Sequence, residues 1–338
     1  MENKEQIKLV SSELAALWSA YINDSMCLCF LQYFKEKNED IEIAPTIEKA
    51  SSMVISHLQK LRILFEKEGI PLPNAFSKTD VHLDAPRLYN DVFFLMFIQN
   101  MGRVGMVTYS GAVVMSARRD IRHYFKHVLE ESAELYDLSV EIGLQKGTLV
   151  RAPFIPYPKQ IDFVDKKNYL SGFHLFSEKR PLSAVEISHL HMNTQTNILG
   201  ERIALSFAQV SPNKDVQKYM MRGKEISAKH VKIFSDTMLQ NDIHSPISAS
   251  ELVTNSTVPP FSDKLMVFFM SLLTTAGIGN YAVAASASQR NDLVGNYERL
   301  SLEIGQYAKD GADLMIKHGY LEQPPGTMNK EKLARTKK

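Results

Sequence analysis

Apolar positions recur along this chain at steps of three and four residues, the spacing that places them on one face of a helix. Ile43, Ile47, Ala50, Val54, Leu61 and Leu64 form such a stripe around His57. Val216, Met220, Gly223, Ser227, His230 and Phe234 repeat it, again with a histidine inside the stripe. Alternation at a period of two, the mark of a half-buried strand, is convincing nowhere. The first half reads as four long helices, near 8–36, 43–68, 88–116 and 119–146.

The same order of elements then returns. HLQKLRILFEKEGIPLPNAF answers to HVKIFSDTMLQNDIHSPISA, DAPRLYNDVFFLMF to TVPPFSDKLMVFFM, and VTYSGAVVMSARRDI to NYAVAASASQRNDL. His57 precedes His230 by 173 residues and Tyr109 precedes Tyr281 by 172, so a one-residue indel lies between these blocks. Glu131 and Glu303, and Gly147 and Gly319, match at the shorter offset. The length of 338 residues fits two domains. A repeat of this period is the signature of a copied structural unit.

Loop lengths suggest the topology. KNEDIE between helices 1 and 2, and SARRD or SQRND between helices 3 and 4, are short turns joining antiparallel neighbours. Helices 2 and 3 are separated by GIPLPNAFSKTDVHLDAPRL. Its extended reach of roughly 60 Å exceeds the roughly 40 Å length of a bundle helix. One long crossover with two short turns is the ferritin-like arrangement. The expected fold is therefore all-α: two tandem ferritin-like four-helix bundles, each with one long crossover between helices 2 and 3. The first bundle covers 1–165 and the second 181–325. A linker at 166–180 joins them, and 326–338 forms a basic, disordered tail. The wider connecting segment 148–183 holds four prolines and several aromatics. Those aromatics predict packing against a bundle rather than free motion.

Helices of similar length packed side by side bring their midpoints to one level. Asp24, His57 and Glu131 lie near the midpoints of helices 1, 2 and 4, on the stripes that face inward. The second half supplies Asn197, His230 and Glu303, and adds Glu201 one turn after Asn197, where the first half has Leu28. Imidazole and carboxylates from facing helices suit iron, manganese or zinc. The same groups also make a self-satisfied buried hydrogen-bond network, which is what most buried polar groups require. Neither half contains the Glu-x-x-His motif of di-iron carboxylate proteins. Oxygen-activating di-iron chemistry is thus not expected, while a single-ion site stays open. His123, His127 and Glu131 are spaced i, i+4, i+8, but their counterparts are Gly295, Arg299 and Glu303. An exposed face is the simpler reading. The repeated Ser-x-Arg-x-Asp (Ser116, Arg118, Asp120; Ser288, Arg290, Asp292) falls at the turn between helices 3 and 4, where Asp can cap helix 4 and Arg can pair locally.

Composition narrows the function classes. The net charge of +1 offers no global field for nucleic acid. Cys27 and Cys29 point to different faces of a helix, which suits neither a disulfide nor a shared metal and suggests a reducing compartment. The polar opening MENKEQIKLVSSE has no secretory h-region, so a cytoplasmic location is expected. Leu265 to Ser288 has no charge over 24 residues, enough to cross a bilayer. Its first-half counterpart carries Arg103 near its centre, which favours an enclosed bundle helix over a membrane span. No phosphate loop, dinucleotide fingerprint or nucleophile motif is found, so an enzyme is not expected.

A set of segments carries a family resemblance: W-x2-Y-x-N-D-S at 18–25, DAPRLYND at 84–91, SARRDI at 116–121, RPLSAVEISHL at 180–190, GKEISAKH at 223–230, STVPPFSDKLM at 256–266 and GYLEQPP at 319–325. Together they resemble a family of duplicated proteins of unknown function from spore-forming bacteria. The resemblance covers nearly the whole chain. It implies a ferritin-like fold in each half and a distant likeness to spore coat protein F, without supplying an activity. Two functions are expected to compete. One is a non-enzymatic helical protein, spore- or stress-associated, that self-associates or binds a protein partner. The other is a metal-binding, redox-active protein using the mid-bundle histidines and carboxylates.

Overall fold

The computed structural model describes residues 7–172, 179–244 and 251–335. Among these the fold is all-helical, with no strands beyond two isolated bridges. The first half contains α1 (Ser11–Lys37), α2 (Ala44–Glu68), α3 (Asp91–Val114) and α4 (Arg119–Gln145). The second contains α5 (Ala184–Val210), α6 (Lys214–Leu239), α7 (Asp263–Ala287) and α8 (Asn291–Lys317). The four first-half helices lie within three residues of the bounds the periodicity predicts. Local chemistry sets the ends. Pro45 opens α2, where the missing N–H is harmless, and Gly69 closes it at φ 65, a conformation a side chain would resist. Asn90, Ser183, Asn213 and Ser262 accept backbone N–H bonds at the starts of α3, α5, α6 and α7.

Helices pair in sequence: α1 packs on α2, α3 on α4, α5 on α6 and α7 on α8. The pairs then meet through α2 and α4, and through α6 and α8 with α5 and α7. Contacts at the helix ends orient them. Ser12 at the start of α1 donates to the Met115 carbonyl just after α3 (2.7 Å). Glu39, just after α1, donates its backbone N–H to Asp91 at the start of α3 (3.0 Å). Lys146, at the end of α4, bridges Asp40 and Glu42 between α1 and α2 (2.7 and 2.5 Å).

The long connections also meet each other. The α2–α3 and α6–α7 connections bridge each other antiparallel, at Val81 with Phe261 and Tyr89 with Val253. His82 N donates to the Pro260 carbonyl (2.8 Å) and Ser262 N to the Asp80 carbonyl (3.0 Å). Thr254 N donates to the Leu88 carbonyl (2.8 Å) and Asn90 N to the Leu252 carbonyl (3.2 Å). Beside this junction the Phe30 ring meets Phe97, Phe261 and Phe269 at 4.8, 4.3 and 4.9 Å, joining apolar groups of both halves. Each such ring contact adds about 0.5–1.5 kcal/mol beyond burial.

Three expectations need correction or division. Phe154, Tyr157 and Phe163 of the connecting segment do not pack: they are 78, 84 and 92% exposed. The two long connections and the Phe30 cluster join the halves, while these rings stay in solvent. The stretch 166–180 divides: Arg180 stacks on Tyr169 (4.2 Å) and Gly172 lies against Asp292, while 173–178 lies outside the described residues. The tail includes a short exposed helix, Lys330–Arg335, with 336–338 outside the described residues, as is the MENKEQ opening. Among the described residues, α1 and α7 are long and apolar enough to cross a membrane; half and a third, respectively, of their most apolar stretches are buried within the protein.

Candidate functional site

The inward stripes of α1, α2 and α4 do bring Asp24, His57 and Glu131 together. His57 is 1% exposed. Its Nε2 lies 2.8 Å from Glu131 Oε2, and its Nδ1 lies 3.5 Å from Asp24 Oδ2. The second distance is an ion-pair separation rather than a good hydrogen bond. Tyr109 on α3 donates its hydroxyl to Asp24 Oδ1 (3.2 Å), so all four helices contribute. Tyr124 presents its ring edge to His57, and its buried hydroxyl has no hydrogen-bond partner. His127 and His123 are exposed, as the lack of matching residues in the second half suggested, yet His127 Nε2 still reaches Glu131 at 3.3 Å. Burial alone would push the His57 pKa down. Asp24, and then Glu131, outweigh it and hold the pKa above the usual histidine value, favouring the imidazolium.

The second layer has a different wiring. His230 is fully buried, with Nδ1 2.8 Å from the Tyr281 hydroxyl and Nε2 3.0 Å from Glu303 Oε2. Asn197 Nδ2 donates to the Tyr281 hydroxyl (2.8 Å) and to the Asn193 carbonyl (2.7 Å). One assignment of protons satisfies the whole chain. Asn197 donates to Tyr281, Tyr281 donates to His230 Nδ1, and His230 Nε2–H donates to Glu303. Lys229 Nζ grips both Glu303 oxygens (2.8 and 3.0 Å). Burial pushes the His230 pKa below the usual value against the pull of Glu303, with Lys229 and Arg299 adding to the fall. The imidazole is therefore neutral. Asn197 reaches His230 only through Tyr281, and among the described residues Glu201 makes no hydrogen bond or ion pair with this group.

Tyr109 and Tyr281 are the members that sequence reasoning missed. They were visible as an aligned pair in the repeat, but nothing local marks a tyrosine as polar machinery rather than core. A second missed pair is Glu13 and Glu186, both fully buried. Glu13 accepts from Ala117 N and Arg118 N (2.8 and 2.7 Å), tying α1 to the α3–α4 turn. Glu186 accepts from Gln289 N and Arg290 N (3.2 and 3.0 Å), and Arg180 binds it through two nitrogens (2.8 Å each). Burial would raise the Glu186 carboxyl, but Arg180 and the backbone donors bring it down to about 2. The signal was the Ser-x-x-Glu capping box at Ser183. The repeated arginines do pair with their Asp neighbours, Arg118 with Asp120 (3.0 and 2.6 Å) and Arg290 with Asp292 (3.0 and 2.7 Å). The aspartates sit in the first turn of the next helix, while the capping positions themselves are Arg118 and Arg290.

As a metal shell the donors fit poorly. The two ring nitrogens of His57 point at carboxylates on opposite sides of the ring, so the donors form a line instead of surrounding a point. Among the described residues no three His, Cys, Asp or Glu side chains are grouped so as to hold an ion. The cysteines are unpaired; burial pushes both thiols up, Cys29 to about 12, which leaves them protonated and inert.

The sequence family described as "Protein of unknown function (DUF3231)" matches residues 1–161 and, a second time, residues 171–333. No curated protein matches the chain. Among solved structures, that of a proposed spore coat protein from Bacillus halodurans C-125 is 22% identical, with a TM-score of 0.39, covering 46% of this chain and 98% of its own.

Proposed function

This chain belongs to the DUF3231 family, and we propose that it is a non-enzymatic helical protein, built of two ferritin-like four-helix bundles, that assembles with further copies of itself. Helix-end contacts support the bundle reading. The start of α1 meets the end of α3, and the end of α1 meets the start of α3, so these helices run antiparallel. With α1 and α2 joined by a short turn, α2 and α3 run parallel and 69–90 is the long crossover. On this reading 1–165 and 181–325 are two copies of one bundle. The mid-height histidines act as latches between helices, His57 between Asp24 and Glu131 and His230 between Tyr281 and Glu303.

One observation carries the assembly reading: Phe154, Tyr157, Ile161 and Phe163 stand in solvent along one short segment. A run of exposed large apolar side chains is the mark of an interaction surface. The resemblance to proteins of spore-forming bacteria supports a spore- or stress-associated setting. Sedimentation of the full chain tests the assembly. Self-association at micromolar concentration, reduced at least ten-fold in a Phe154→Ser, Tyr157→Ser, Phe163→Ser variant, is expected. A chain that stays monomeric at about 100 µM sinks the reading.

Iron, manganese or zinc binding is the second reading, and one observation favours it in the first half alone. Asp24 Oδ2 and His57 Nδ1 are buried without a hydrogen-bond partner, and His127 brings another donor to Glu131. In the second half Lys229 already neutralises Glu303, and an amide, Asn197, stands where Asp24 would be. Elemental analysis of protein purified without chelator decides: stoichiometric metal that is lost in His57→Ala but kept in His230→Ala establishes this reading, and metal-free protein removes it.

A further inference from the structure

A cavity of about 80 Å³ lies where α3 of the first half meets α5, α6, α7 and α8 of the second. That is room for on the order of five waters or a ligand of similar size. It belongs to the second copy, and the repeat explains why. Gly200 stands where the first half has Cys27, and Ser227 where it has Val54, so side-chain volume is missing from two facing helices. A Cβ added at Gly200 would meet only the Ser227 hydroxyl, at 3.4 Å. Leu199, Met270, Leu273 and Ile304 make much of the wall apolar.

Arg103 reaches this cavity from the other half of the chain. It has no counterpart, because the repeat places Thr275 at the matching position. Its guanidinium bonds to Asn100 Oδ1 on its own helix, and among the described residues no carboxylate pairs with it. Burial presses its pKa down, yet a guanidinium stays charged. Thr196, Ser227 and Asn280 also line the cavity and bring hydrogen-bonding groups to it. Arg103 is half-buried, and a partly desolvated cation without a counter-ion is unfavourable, so this corner suits an anion.

We propose that the cavity is a binding site for a small aliphatic monocarboxylate, its carboxylate on Arg103 and its hydrocarbon against the apolar wall. The planar fork of arginine matches a carboxylate through two parallel hydrogen bonds. One guanidinium neutralises one negative charge, so inorganic phosphate, which near neutral pH is a mixture of singly and doubly charged forms, is matched less well. The apolar wall favours a short alkyl chain over a bare anion. This site does not depend on self-association, and it borders the second polar layer, since Asn197 and Tyr281 both line it.

Titration calorimetry of the full chain with butyrate, and separately with inorganic phosphate, tests it. Saturable butyrate binding is expected, at least ten-fold tighter than phosphate. Arg103→Gln should weaken butyrate at least ten-fold, and Arg103→Lys, which keeps charge but loses the fork, by less. Ser227→Val, which restores the first-half residue, should weaken it similarly while leaving Arg103 in place; it carries the test if Arg103→Gln misfolds. No saturable butyrate signal, phosphate binding as tightly as butyrate, or full affinity in both Arg103→Gln and Ser227→Val overturns the proposal.

Discussion

The two polar layers occupy matching places in the two halves, yet they differ in charge. In the first, a histidine held toward its imidazolium form sits between two carboxylates, Asp24 and Glu131. In the second, a neutral imidazole sits between a phenol and a carboxylate already gripped by Lys229. One exchange, Asp24 for Asn197, accounts for much of the difference. A carboxylate next to a buried histidine offsets the burial penalty of its charge; an amide and a phenol do not. The same helical frame therefore holds opposite protonation states without any change in backbone plan.

The largest expected effect breaks the comparison outright. His57→Ala leaves Asp24 and Glu131 facing each other without their cation, and should cost about 3–5 kcal/mol. His230→Ala removes one hydrogen bond to the Tyr281 phenol and one to the Glu303 carboxylate but strands no like-charged pair, and should cost about 1–3 kcal/mol. Urea unfolding of both variants checks the order, and equal losses would mean that His57 is not charged. Next in size is the turn clamp. Glu186→Ala strands the backbone N–H groups of Gln289 and Arg290 together with Arg180, for about 2–3 kcal/mol by melting. Asp24→Asn sharpens the comparison: it should convert the first layer toward the second, dropping the His57 pKa below the usual value in an NMR titration.

The smallest effect is the pH dependence, whose sign differs between halves. The folded pKa of His57 is raised, so its contribution is complete below the unfolded value of about 6.5 and fades as pH rises through the folded value. The folded pKa of His230 is lowered, so its contribution is present above about 6.5 and fades as pH falls through the folded value. The penalty of His57→Gln should therefore be larger at pH 5.5 than at pH 9, and that of His230→Gln larger at pH 8 than at pH 5. Penalties that change in the same direction would refute the assignment of opposite charge states.

Much of this was legible in advance, for a definite reason. Helices and repeat register are written in short-range periodicity, and equal helix lengths carry Asp24, His57 and Glu131 to one level. The identity of the third partner was not legible, because Tyr109 and Tyr281 become polar contacts only once α3 and α7 turn their hydroxyls inward. Glu201 shows the converse: one turn from Asn197, it stays out of the cluster. The connecting segment misled because aromatic content measures a tendency to be buried, not the availability of a surface to bury against.

By itself, then, the sequence determined an all-helical chain with a twice-used plan and a histidine inside each apolar stripe, because helical periodicity is local and survives any arrangement of the helices. Tertiary structure alone decided which groups share a proton, that the two long connections pair with each other, that Phe154, Tyr157 and Phe163 face water, and that Arg103 of one half ends in a cavity of the other. These depend on distances between residues tens to hundreds of positions apart, which only packing defines.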